Sequence, residues 1–144
     1  MRTLAALLIS FCLAIPATAL DLGLEGKRAL VSGSTSGIGY AIARALLEEG
    51  AEVIINGRSQ ESVDRAIASL RDETGRTPLG FPADMSTAEG TQAIYDAYPE
   101  IDILVNNVGT YGGSVFEQST DEDWYRLFDL NVMSGVRLSR LYLP

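Results

Sequence analysis

A glycine-punctuated turn between an apolar run and an amphipathic one constrains this chain most. Arg28 to Ser32 has the make-up of a short buried strand and leads into Gly33-Ser34-Thr35-Ser36-Gly37-Ile38-Gly39. Behind the turn, Ile38 to Glu49 reads as a helix. Its residues Ile38, Ala41, Ile42, Ala45 and Leu46 are spaced three and four apart, which predicts one inward face. Gly50 stops it. A strand that turns through glycines straight into a helix is the opening of a strand–helix–strand unit.

The pattern then repeats. Glu52 to Asn56 reads as a second strand, and residues 60–74 as a second helix with Val63, Ala66, Ile67 and Leu70 inward, closed by Gly75. Leu79 to Phe81 is a short third strand between two prolines. Ser86 and Glu89 have capping-box spacing and predict a third helix running to about Tyr98. Ile101 to Val105 is a fourth strand, followed by a glycine-containing loop from Gly109 to Ser114. Thr120, with acidic residues after it where the helix dipole favours them, predicts a long helix reaching about Leu143. Strands alternating with helices imply an α/β fold: a Rossmann-like, doubly wound parallel sheet with helices on both faces. Only strands 1 to 4 are legible, in expected order 3-2-1-4, so the sheet reads as incomplete, with strand 4 an open edge prone to association.

Residues 20–144 form this partial Rossmann-like domain, and residues 1–19 stand apart. Met1-Arg2-Thr3 gives a positive start, Leu4 to Ile15 is apolar, and Ala17-Thr18-Ala19 after Pro16 is a small-x-small pattern. The segment has the form of a secretory signal peptide and is too short for a membrane span; the other reading is a mispredicted leader. The 144 residues suffice for one domain. A net charge of −8 without basic runs argues against a nucleic-acid partner and an anionic membrane surface. Histidine is absent and Cys12 is the one cysteine, which excludes a Ser-His-Asp triad, a Cys/His zinc site and an internal disulfide, and no metal site is expected.

The turn carries the chemistry. Gly33 permits a tight bend, Gly37 lets the backbone approach a pyrophosphate, and Gly39 lets helix and strand pack closely. The helix start then offers free N–H groups and the positive dipole end to phosphates, with Ser34, Ser36 and Ile38 in the same loop. The spacing G-x-x-x-G-x-G, preceded by Ser32 where threonine is usual, resembles the short-chain dehydrogenase/reductase family. Three further blocks match in order across residues 23–144. Asp84-Met85 follows the third strand, where the resemblance implies an aspartate contacting adenine. Asn106-Asn107-Val108-Gly109 is similar to the family's Asn-Asn-Ala-Gly, with Val108 in place of alanine. In it, Asn106 is expected to tie strand 4 to its neighbours, and Asn107, Val108 and Gly109 to border the cofactor. Asn131 matches the family's helix asparagine that holds a proton-relay water; a satisfied structural amide is the alternative.

The end of the second strand bears on the choice of cofactor. A carboxylate there accepts the 2′-OH of NAD, whereas a cation pairs with the 2′-phosphate of NADP. This chain has Asn56-Gly57-Arg58-Ser59 and no carboxylate, so the resemblance implies NADP(H) in preference to NAD(H).

The family's serine and Tyr-x-x-x-Lys pair are the groups this sequence lacks. Its one lysine is Lys27, ahead of the first strand, and no tyrosine precedes it by four positions; Ser139 lies too early for the family's serine. General acid–base catalysis has no evident acid in this chain alone. The expectation is therefore the NADP(H)-binding portion of a short-chain oxidoreductase acting on an unidentified small carbonyl or alcohol, truncated before its catalytic groups. A non-catalytic nucleotide-binding module, or a half-enzyme completed by a partner chain, are the alternatives. The resemblance implies a homo-oligomer, paired through the long helix that holds Trp124 and Leu127. Because NADP(H) is a cytoplasmic pool, a cytoplasmic chain is expected, with export the alternative if residues 1–19 serve as a signal.

Overall fold

The computed structural model describes residues 22–112 and 115–143. The candidate leader, residues 1–19, lies outside the described residues, as does part of the loop expected up to Ser114. Strand β1 (Arg28–Val31) is followed by α1 (Gly37–Glu48), β2 (Glu52–Gly57), α2 (Gln60–Thr74), β3 (Leu79–Pro82), α3 (Ala88–Ala97) and β4 (Ile103–Val105). A 3₁₀ turn (Phe116–Gln118) then leads into α4 (Asp121–Phe128), a π-helical segment (Asp129–Met133) and α5 (Ser134–Tyr142). The four strands form one parallel sheet in the order β3-β2-β1-β4, as the alternation of elements implies.

Strand alternation divides the core in two. Val31, Val53 and Ile55 point to one face and pack on Ala43 and Leu47 of α1 and Val63, Ala66 and Leu70 of α2. Leu30 and Ile54 point to the other and pack on Met85, Ile94 of α3 and Leu138 of α5. Helices thus cover both faces, which is why β1 and β2 read as almost unbroken apolar runs. Each fully buried Leu, Ile or Val contributes about 1.5–3 kcal/mol over its exposed state. The outer strands β3 and β4 are only half-buried, and β3 ends at Pro82, a residue tolerated at a sheet edge. β4 is the edge that the strand order predicts.

Three local expectations are corrected. The inward stripe of α1 is Gly39, Ala43 and Leu47, with Ile42 and Leu46 half-buried; Ile38, Ala41 and Ala45 are exposed. Glycine and alanine at this spacing let the helix lie close on the sheet, and that close approach, not apolarity alone, sets its rotation. The cap of α3 is Thr87, whose hydroxyl accepts from Gly90 N at 3.0 Å. Ser86 does not cap, because Asp84 Oδ1 accepts from both its N–H (2.9 Å) and its hydroxyl (2.7 Å). The long helix starts after Thr120, as its sequence implies, and the structure adds a capping box to Asp123; the helix is interrupted by the π segment that contains Asn131. The outward aromatics of α4, Trp124, Tyr125 and Phe128, are exposed.

Candidate functional site

Four strand ends are laced together beneath one cleft. Gly33, at φ 62°, bends the chain off β1, and a Cβ there would lie 2.9 Å from Val108 Cγ2. A Cβ on Gly39 would overlap Asn107 Nδ2 and come within 2.6 Å of Gly33 O. The first turn of α1 is therefore pressed onto the β1 and β4 loops at a distance only glycine allows.

The lacing is made by Ser34, Asn56 and Asn107, which the sequence placed against a cofactor, and by Ser32. Ser34, fully buried, donates to Val31 O (2.6 Å) and accepts from Asn56 N (2.9 Å). Asn56, also buried, accepts from Gly33 N at 3.1 Å and donates to Phe81 O (3.0 Å) and Ala83 O (3.1 Å). One carboxamide thus joins the β1 turn, β2 and the end of β3. On the other side, Ser32 Oγ accepts from Asn107 N (3.0 Å) and Val108 N (3.2 Å). Asn107 Nδ2 donates to the carbonyls of Ser32 and Gly33, both at 3.0 Å. The tie between β4 and its neighbour belongs to Asn107, not to Asn106 as expected. Asn106 instead donates to Ser139 Oγ on α5 at 3.0 Å.

Above this network lies a cleft of about 750 Å³ at the carboxyl ends of the strands. Gly33, Thr35 and Ser36 form one wall, Gly57 and Arg58 the next, and Asp84, Met85, Ser86 and Thr87 the floor beyond β3. Asn107 to Thr110, with Arg126, Asp129 and Leu130, close the far side. In open parallel sheets ligands bind where neighbouring strands leave in opposite directions, here the gap between β1 and β4.

Not every residue singled out in the sequence reaches this cleft. Ser34 lies below it, Gly39 is buried in the helix contact, and Ser59 caps α2 by accepting from Ser62 N at 3.3 Å. Gly37 and Ile38 sit at the open start of α1, with Ile38 76% exposed. Asn131 is exposed, yet both its amide atoms are engaged: Oδ1 accepts from Thr110 N (2.8 Å) and Nδ2 donates to Leu127 O (2.9 Å). It braces the loop after β4 against the π segment. Thr35, Thr87, Arg126 and Asp129 line the cleft without having been singled out, and Ser86, read from sequence as a helix cap, lines it too. Thr35 carried a signal, its place inside the glycine turn; Arg126 and Asp129 had only a three-residue spacing that any helix contains.

The electrostatics are asymmetric. Ser36 is the N-cap of α1, but its hydroxyl does not close the helix end, so the first N–H groups stay open beside the cleft. Arg58 is exposed and forms no ion pair or hydrogen bond among the described residues. The Asp84 carboxyl is held below the ordinary carboxylate range, first by the Ser86 N–H, then by the Ser86 hydroxyl, with the Arg58 charge adding to it. Arg137 reinforces the same floor, donating to Ser86 O (2.7 Å) and to Asp129 Oδ1 (2.8 Å). Among the described residues no group of three His, Cys, Asp or Glu side chains is placed to hold a metal ion, and no helix is long and apolar enough to cross a membrane.

The short chain dehydrogenase profile matches residues 27–144, which takes in every element of the sheet and the whole cleft. The chain belongs to the short chain dehydrogenase family. Among its family relatives, the uncharacterized oxidoreductase YvaG of Bacillus subtilis (strain 168) is 51% identical over 126 residues, 86% of this chain and 47% of that protein. The L-sorbose reductase of Gluconobacter frateurii, solved as a complex with NADPH and L-sorbose, is 36% identical with a TM-score of 0.80, over 87% of this chain and 49% of that one. The RhlG/NADP active-site complex of Pseudomonas aeruginosa is 37% identical with a TM-score of 0.73, over 84% and 48%. This short chain dehydrogenase chain thus spans about half the length of the relatives it matches.

Proposed function

We propose that this chain forms the dinucleotide-binding part of an NADP(H)-dependent oxidoreductase that interconverts a small carbonyl compound and an alcohol. The observation that carries the reading is the open N-terminus of α1 beside a cleft whose neighbouring wall presents Arg58 without a partner among the described residues. A pyrophosphate fits the first: amide donors and a positive dipole end, approached over glycines where a side chain would collide. A 2′-phosphate fits the second, since a guanidinium binds phosphate oxygens in a bidentate fork. The NADPH and NADP complexes of the two solved relatives support the same preference.

The remaining residues divide the work. Ser36, Gly37 and Ile38 would hold the pyrophosphate, brought near by the close packing that Gly39 allows, and Arg58 would hold the 2′-phosphate beside the α2 cap that Ser59 forms. Asp84 and Met85 would border the adenine, and Val108 and Gly109 the ribose beside it. Ser34, Asn56 and Asn107 act as positioning residues, because their polar atoms are already bonded to the scaffold. Asn131 fixes the backbone at Thr110 and so shapes the edge of the cleft nearest the substrate side. When bound, NADP(H) supplies or accepts the hydride; the chain's own contribution is to hold and orient it. A cytoplasmic setting, where that cofactor is abundant, goes with this reading.

Isothermal titration of the purified chain with NADPH and NADH tests the proposal. We expect NADPH to bind at least about tenfold more tightly, the effect of roughly one charge-assisted contact. No heat with either dinucleotide, under conditions where the chain is folded by circular dichroism, removes the assignment.

A further inference from the structure

Gly57, at the end of β2, is not a glycine for conformational reasons. Its φ lies outside the left-handed range that the turn glycines occupy. What the position lacks is room. A Cβ built there would lie 2.5 Å from Thr35 Cγ2, 3.0 Å from Ser62 Oγ and 3.2 Å from Thr35 Oγ1. Carbon atoms in contact normally settle at about 3.5–4.0 Å, so the first of these is an overlap.

Neither neighbour withdraws easily. Ser62 lies in the first turn of α2, where its hydroxyl donates to Ser59 O (2.8 Å) and accepts from Ser59 Oγ (3.1 Å). Thr35 is half-buried in the turn between β1 and α1. Both its γ atoms face Gly57. A β-branched side chain fills two of the three staggered positions on its Cβ. Rotating χ1 therefore leaves at least one heavy atom on the Gly57 side in every rotamer.

We propose that Thr35 is a specificity-determining residue. Its γ-methyl and hydroxyl fill the space through which a carboxylate side chain at position 57 would have to leave the strand to reach a ribose 2′-OH. Shape, and not only the charge of Arg58, then commits this edge of the cleft to the 2′-phosphate. The inference rests on the dinucleotide reading above and deepens it. Its consequence is an interaction between two positions far apart in sequence: placing an acid at 57 does not by itself make an NAD site, and clearing Thr35 does.

The test is a double-mutant cycle on the full chain with Gly57→Asp, Thr35→Ala and the two together, titrated with NADH and NADPH. We expect the double variant to bind NADH at least about tenfold more tightly than Gly57→Asp alone, beyond the product of the single effects. Equal NADH affinity of Gly57→Asp with and without Thr35→Ala overturns the inference. A cofactor-free arm guards against variants that fold poorly. Gly57→Ala should lower the thermal midpoint in the wild-type background and lower it by less than half as much in the Thr35→Ala background. Equal drops in the two backgrounds also overturn it. Wild-type protein that binds neither dinucleotide sinks the dinucleotide reading and this inference with it; wild type that binds NADPH without coupling between positions 35 and 57 sinks the inference alone.

Discussion

Replacing Arg58 with alanine isolates the contact on which cofactor preference rests. Its guanidinium is exposed and free of ion pairs among the described residues, so its removal orphans no protein donor or acceptor. Asp84 feels the loss inside the chain, but its carboxyl stays depressed because the Ser86 N–H and hydroxyl are the larger causes. Stability should therefore change little, within the roughly 0.5 kcal/mol usual for surface substitutions. Affinity for NADPH should fall. A hydrogen bond to a charged group contributes about 1.5–3 kcal/mol net, and exposure to solvent and salt places Arg58 at the low end. The expected loss is about 1.5 kcal/mol, or roughly tenfold in Kd. NADH has no 2′-phosphate, so its affinity should stay within about twofold and the preference should shrink by roughly tenfold. Fluorescence or calorimetric titration of both dinucleotides with wild type and Arg58→Ala, at two salt concentrations, reads all of this. The NADPH advantage of wild type should also narrow at the higher salt. Equal losses for NADPH and NADH would refute the argument, since they place Arg58 on a part of the ligand common to both.

Three further outcomes follow from the scaffold. Asn56→Ala leaves the Gly33 N–H and the Phe81 and Ala83 carbonyls without their partner, and should cost about 1–3 kcal/mol in urea unfolding; a change below about 0.5 kcal/mol would count against the lacing role. Gly39→Ala drives a methyl into Asn107 Nδ2 and Gly33 O, and should destabilise by about 1–3 kcal/mol although alanine is the better helix former; a stabilised variant would contradict it. The Asp102 carboxyl accepts from Arg28 N (2.8 Å) and the Lys27 ammonium (2.9 Å), which hold it below the usual carboxylate range. Its folded pKa being lower than its unfolded one, its contribution is complete above about pH 4 and disappears as the pH falls through the folded value. Unfolding curves from pH 5 to 2 should therefore be less steep in pH for Asp102→Asn than for wild type, and parallel curves would show that the pair does not matter.

Much of this architecture is written in short stretches of residues. The strands β1 and β2, the turn at Gly33, the stop of α2 at Gly75 and the cap of α4 at Thr120 are each set within a few positions, by apolar run length, glycine conformation or a hydroxyl three residues from a backbone amide. Such interactions need no distant partner, so reading along the chain recovers them, and with them the strand–helix alternation that implies a parallel sheet.

Other features depend on contacts between segments remote in sequence. The rotation of α1 follows from Gly39 meeting Asn107, and Asn56 serves β1 and β3 at once. Arg126 and Asp129 join the cleft wall only because the helix crosses the strand ends. The same holds for Thr35 against Gly57, where two small residues from separate motifs become a shape constraint once β1 and β2 lie side by side. A side chain's chemistry is local, but what it is free to bind depends on which partners the sheet order has already brought within hydrogen-bonding distance.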